Sequence, residues 1–132
     1  IDYGDLPAHQ GLWEHAQETA HDLLARLAII PRCMEARGLD VTPAMIEKIR
    51  ALKDETGVQI LTRILNDEQQ HVQFGSDWFY QQCQIQQLNP ETTFKTLILK
   101  YLRNTKPKGP FNIEMRLKAG FSPNELTWLE EQ

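Results

Sequence analysis

From about residue 9 to residue 87, apolar side chains recur at intervals of three and four and hardly anywhere at intervals of two. That period belongs to the α-helix and leaves little room for a half-buried sheet, so the chain is predicted to be all-α. With 132 residues, 41% hydrophobic and 24% charged, it has the make-up of one folded domain rather than of a disordered segment. No apolar run approaches the roughly 18 residues of a membrane span, and no secretory leader opens the chain, so a cytoplasmic, soluble protein with no membrane partner is expected. Cys33 and Cys83 lie far apart without a C-x-x-C spacing, which points to reduced thiols rather than a disulfide framework or zinc ribbon. The first residue is Ile1 rather than Met, so a piece of something longer is expected.

The stripe Trp13, Ala16, Ala20, Leu23, Leu24, Leu27, Ala28 and Met34 predicts a first long helix over 9–37, closed by Gly38 in the left-handed position with Leu39 folded back. Pro31 should kink it one turn before Glu35. Thr42-Pro43, Asn89-Pro90 and Ser122-Pro123 each read as a capping residue followed by proline at the first helical position, and Glu125 completes a capping box with Ser122. The helices these predict are 43–54, 90–104 and 122–131, with a shorter one at 112–119 ended by Gly120. A second long helix is predicted over 57–87.

Inside that second helix, Glu68 and His71 stand three apart and share a face, about one turn from each other. Their stripe runs through Leu61, Ile64, Leu65, Val72, Gly75, Trp78 and Phe79, so a carboxylate and an imidazole interrupt residues expected to point inward. Burying an unpaired carboxylate costs several kcal/mol unless a cation, a donor or a metal compensates it. Glu35 is the other acid on an apolar stripe, 33 residues earlier. Antiparallel helices would bring it opposite Glu68 and His71, which is half of the donor set of a di-iron or di-manganese bundle. Imidazole with carboxylates suits iron or manganese, and Asp67 is placed to hold a histidine's free ring N–H. The alternatives are a surface pair, or a buried pair bonded to Arg32 or Arg63. Glu18 and His21 repeat the Glu-x-x-His spacing, but His21 is some 21 Å along a straight helix from Glu35, and both read as structural or solvated.

Several strings carry a family resemblance: Tyr3-Gly4-Asp5-Leu6-Pro7-Ala8-His9 with Leu12-Trp13, Ala25-Arg26-Leu27-Ala28, Glu35-Ala36-Arg37-Gly38-Leu39-Asp40, Asp67-Glu68-Gln69-Gln70-His71-Val72 with Gly75 and Trp78-Phe79, Gly109-Pro110-Phe111-Asn112 and Ala119-Gly120-Phe121. Over essentially its whole length the chain resembles the DUF455 family of ferritin-like proteins. The resemblance implies metal ligation by Glu35, Glu68 and His71, with a di-iron or manganese centre as cofactor. Family members are longer, so it also implies a single ferritin-like domain fragment over 1–132, the C-terminal half of a bundle. Its long helices would be 9–37 and 57–87, and 90–132 would hold the short helices. A chain with half the ligands need not hold metal by itself. Its partner would be the missing N-terminal half, or a second copy in a two-fold homodimer.

From Lys95 to Lys118 seven basic residues stand against Glu114 alone, net +6 in an otherwise acidic chain (formal charge −4). Such a patch could steer a phosphate-bearing substrate. The plainer reading is a solvated face, or one pairing with acids of the missing half, and nucleic acid is not expected as a partner. His9 and His15 read as loop-capping and surface residues, Cys33 as packing, Trp78 and Phe79 as core. The implied function is a non-haem di-metal carboxylate protein using O2 to oxidise or hydroxylate an unknown small substrate. A non-catalytic helical interaction or metal-storage module and a tRNA-modifying hydroxylase are the alternatives.

Overall fold

The computed structural model describes residues 1–131, and among these helices are joined by turns with no strand. In chain order they are α1 (Gly11–Glu18), α2 (Leu23–Ile29), a π-helical segment (Ile30–Glu35), α3 (Arg37–Ala51), α4 (Glu55–Ile85), α5 (Pro90–Tyr101), α6 (Ile113–Lys118) and α7 (Pro123–Glu130). The chain is therefore all-α.

The expected helix over 9–37 is corrected at both ends. It breaks after Glu18, where the Thr19 hydroxyl donates back to the His15 carbonyl at 2.7 Å and Asp22 caps α2 by accepting the Ala25 N–H at 3.2 Å. Arg26 reaches across the gap to the Thr19 hydroxyl and the Ala16 carbonyl, at 3.0 and 2.5 Å. At the other end the helix does not stop at Gly38. It continues as α3 to Ala51, with Pro43 inside it rather than opening a new helix at 43. Pro43 has no N–H for the carbonyl of Leu39. The Asn112 side-chain amide donates to that carbonyl instead, at 3.1 Å, so the break expected from Pro43 is repaired by a residue from the far end of the chain.

Pro31 does disturb the rod, by widening it: the Ala36 N–H donates to the Pro31 carbonyl at 3.1 Å, five residues back, which defines the π turn. Proline starts at 90 and 123 stand as expected. Asn89 accepts the Thr92 N–H at 2.9 Å, and Ser122 and Glu125 form the reciprocal capping box. Gly120, at φ +92°, turns the chain after α6.

The rod from α2 to α3 runs antiparallel to α4. Pro31 meets Gly75, Gly38 meets Glu68, and Ile49 meets Gly57. The residue numbers of each pair add to the same total, the mark of antiparallel rods in one constant register. At Gly75 the approach is tight: an added Cβ would lie 2.3 Å from the Pro31 ring. Helix α5 packs on α2 and α4, α7 on α5, and α6 on α4. The core they enclose is built on Ala28, Ile29, Leu39, Val72, Phe79, Phe94 and Ile98. Phe94 meets Phe79, Phe121 and Trp128 edge to face at 5.9–6.4 Å. No described helix is long and apolar enough to cross a membrane.

Candidate functional site

Helix α4 carries two apolar arcs rather than the single inward stripe expected. At about 100° per residue, Val58, Val72, Ser76, Phe79 and Cys83 fall on one arc, and Ile60, Ile64, His71, Phe74, Trp78 and Ile85 on the next. The first arc is buried; the second is open, each of its members at least half exposed. Trp78, expected in the core, belongs to this open arc and is 55% exposed, whereas Phe79 is fully enclosed. Glu68 sits at the seam between the arcs.

The antiparallel register sets Glu35 level with His71 and Gly38 level with Glu68, so the three candidate residues fall within one turn of one another along the helix pair. The side chain of Glu68 is 24% exposed, and its Oε2 lies 4.0 Å from His71 Nδ1. Its Oε1 is shut off from solvent with no hydrogen-bond donor in reach. Burial pushes the Glu68 carboxyl above the usual glutamate range and the charge of Glu35 pushes it further, with His71 partly opposing. Glu35 is half-buried at the end of the π segment. Among the described residues no three such side chains converge tightly enough to form a ready-made metal cage.

Asp67 is not turned towards a histidine; it takes the Arg63 guanidinium at 3.2 Å. Arg63 is thereby occupied and Arg32 is bonded elsewhere, so neither arginine pairs with Glu68 or His71. Glu18 and His21 are exposed, and His9 accepts the Gly11 N–H at 3.1 Å. Cys33 packs in the core, where burial pushes its thiol up to about 11.

Two buried charge clusters were not apparent from spacing. Arg32, with no side-chain exposure, donates to both oxygens of Glu125 at 2.7 and 2.9 Å, to Ser76 Oγ at 3.0 Å and to the Tyr80 hydroxyl at 3.0 Å. Its guanidinium also lies 4.4–5.0 Å from the ring centres of Phe79, Tyr80, Phe94 and Phe121. Burial raises the Glu125 carboxyl, but the hydrogen bonds and charge of Arg32, with Tyr80 and the Ser122 N–H, outweigh it and hold the group below its ordinary value. The second cluster joins Arg116 to both oxygens of Asp40 at 2.9 and 2.7 Å, with the Asn112 N–H on the same carboxylate at 2.8 Å. Glu125 was visible in the sequence only as a capping-box residue. An arginine and an acid on buried helical positions were the available signal, but no local spacing links them.

Three of the seven basic residues of the 95–118 segment are engaged. Arg116 is buried on Asp40, Lys118 pairs with Glu114 at 3.3 Å, and Lys106 donates to the carbonyls of Trp128 and Glu131 around the end of α7.

A sequence profile described as "Protein of unknown function (DUF455)" matches residues 1–127. An uncharacterised protein of Haemophilus influenzae is 46% identical over 129 residues, which cover 98% of this chain and 44% of the relative. The chain thus spans less than half the length of the curated relative it matches. No solved structure matches it. On the extent of the profile match and the identity to this relative, the chain belongs to the DUF455 family.

Proposed function

We propose that this chain supplies part of a ferritin-like di-metal carboxylate centre, in a protein that uses O2 to oxidise or hydroxylate a small substrate. One observation carries the reading: the Oε1 of Glu68 is shielded and undonated, beside a second carboxylate and one turn from an imidazole, at the edge of an open apolar arc. Burial and the neighbouring Glu35 disfavour the ionised form of this carboxyl, and a divalent cation would favour it instead. Two carboxylates with an imidazole fit iron or manganese, so the residues present fit half of such a centre. Glu35, Glu68 and His71 would hold the metal, which when bound supplies redox chemistry with O2.

The chain's own residues prepare the place. The π segment carries Glu35 to the level of His71, and π turns inside α-helices recur at functional sites. Gly38 faces the stem of Glu68, whose Cγ lies 3.4 Å from where a Cβ would stand. Val72, one turn on, is fully buried, so the helix face beside Glu68 leads directly into the core. The remaining ligands, and the cover for Ile60, Ile64, Phe74 and Trp78, are assigned to the part of a family-length polypeptide outside this chain, since the relative is more than twice as long as the region matched.

Elemental analysis of the complete polypeptide, purified without chelators, tests this: iron or manganese is expected and should be lost in Glu68→Ala. A metal-free protein, or one whose metal content ignores that substitution, overturns the reading. A monodisperse dimer of the isolated chain with full metal content would give the covering role to a second copy instead. The breadth of the open apolar arc favours, as a second reading, a non-catalytic interaction or metal-storage module. Anaerobic Fe(II) loading followed by O2 separates the two, because only the catalytic centre consumes oxygen repeatedly when a reductant is supplied.

A further inference from the structure

On another side of α3 the loop between α5 and α6 flanks an open surface cavity of about 340 Å³. Arg37, Val41, Met45 and Lys48 line it from α3, with Lys108 from the loop. Positions 37, 41, 45 and 48 recur at helical spacing, so one face of α3 presents two cations around an apolar middle. Arg37, Lys48 and Lys108 make no ion pair among the described residues. Asp40 is the one acid in the lining, and Arg116 and the Asn112 N–H already occupy it. Three like charges around one cavity with no internal counter-ion repel one another, and an anion between them relieves that repulsion.

The cavity adjoins a recess of about 150 Å³ that shares Arg37, Asp40 and Lys108; its other walls are the apolar side chains of Met34, Leu102 and Pro107, with Cys33 and with Arg116, whose charge is taken by Asp40. A cationic mouth leading to an apolar recess suits a molecule with a compact, multiply charged head and a small apolar body. Arg37 offers the planar fork that matches phosphate oxygens, and Lys48 and Lys108 offer point charges. No aromatic ring lines the cationic cavity, so base stacking has no platform there.

We propose that this pocket binds a small phosphomonoester carrying an apolar group, held at the phosphate by Arg37 and Lys108, which line both recesses, with Lys48, about three turns further along α3, adding to the positive field. The inference is independent of the metal-centre reading, because none of these residues belongs to that group.

Calorimetric titration of the complete protein with phenyl phosphate, inorganic phosphate and phenol tests it. Phenyl phosphate should saturate one site and bind at least about tenfold more tightly than inorganic phosphate, with phenol not binding measurably. The double variant Lys48→Ala/Lys108→Ala should weaken phenyl phosphate binding at least about tenfold at unchanged metal content and circular dichroism, while Lys95→Ala leaves it unaltered. Absence of saturable binding, equal affinity for the two phosphates, or an affinity indifferent to the double substitution each overturns the proposal. So does retention of tRNA that those two lysines control while phenyl phosphate fails to bind, which would reassign the cations to nucleic acid.

Discussion

Arg32 and Glu35 lie three residues apart on the same π segment, and the protein treats their charges in opposite ways. Arg32 is sealed in the core with every neighbour arranged to satisfy it: a bidentate carboxylate, two hydroxyls and four aromatic faces. Glu35 shares its level with another carboxylate and an imidazole, and the carboxylate of Glu68 is left with an oxygen that nothing donates to. A buried charge that is fully partnered serves the fold, and its removal strands the partner. One that is left incomplete at the border of an uncovered face is available to something from outside.

That contrast can be broken by substitution, most forcefully at Glu125. Glu125→Ala leaves Arg32 buried and unpaired, at an expected cost of about 3–5 kcal/mol in urea unfolding, a large part of the stability of a small domain. Asp40→Ala should cost about 3 kcal/mol by the same measurement, because it strands Arg116 and the Asn112 N–H. Gly75→Ala forces a methyl group into the Pro31 ring and should destabilise by about 1–3 kcal/mol despite alanine's better helix propensity. Asn112→Ala removes both the α6 cap and the donor to the Leu39 carbonyl, for about 1–2 kcal/mol.

Glu68→Gln should have the smallest effect on the metal-free protein, within about 0.5 kcal/mol and stabilising near neutral pH. The two carboxyls also predict opposite pH behaviour. Glu125, held below its ordinary value, contributes stability that is present above the unfolded glutamate pKa and lost as pH falls through its folded one. Glu68, pushed up, favours its protonated form; its contribution is present below the unfolded value and lost as pH rises through the folded one. The stability gap between Glu68→Gln and the natural protein should therefore widen from about pH 4 to pH 7. A gap that closed over that interval would show Glu68 to be satisfied like Glu125.

What could be read in advance was what short-range rules decide. The helical period and the caps at Asn89 and Ser122 depend on residues three or four apart, and they stand where expected. The passage of α3 through Gly38 and Pro43 could not be read, because the donor that repairs it is 73 residues away from the carbonyl it serves. Arg32 and Glu125 are separated by 93 residues. Trp78 was misassigned for a different reason: periodicity marks a side chain as apolar-facing without saying whether that face meets the chain's own core. That Glu35, Glu68 and His71 stand at neighbouring heights was legible, because a fixed antiparallel register turns sequence spacing into height along the rod; how far their side chains converge was not.

The bond from Ala36 back to Pro31 spans one residue more than an ordinary helical turn. That surplus residue is taken up by the width of the turn itself, so the helix continues past it as one rod. Excising a single position between 31 and 36 would wind the turn shut into an ordinary α-helical one, with α2 and α3 kept in nearly their present phase and the wide turn lost. With a residue lost between them, Arg32 and Glu35 would stand two apart on a regular helix and could no longer hold their present angle to one another. The count of residues in this one turn thus governs whether the two charge environments can coexist on a single rod.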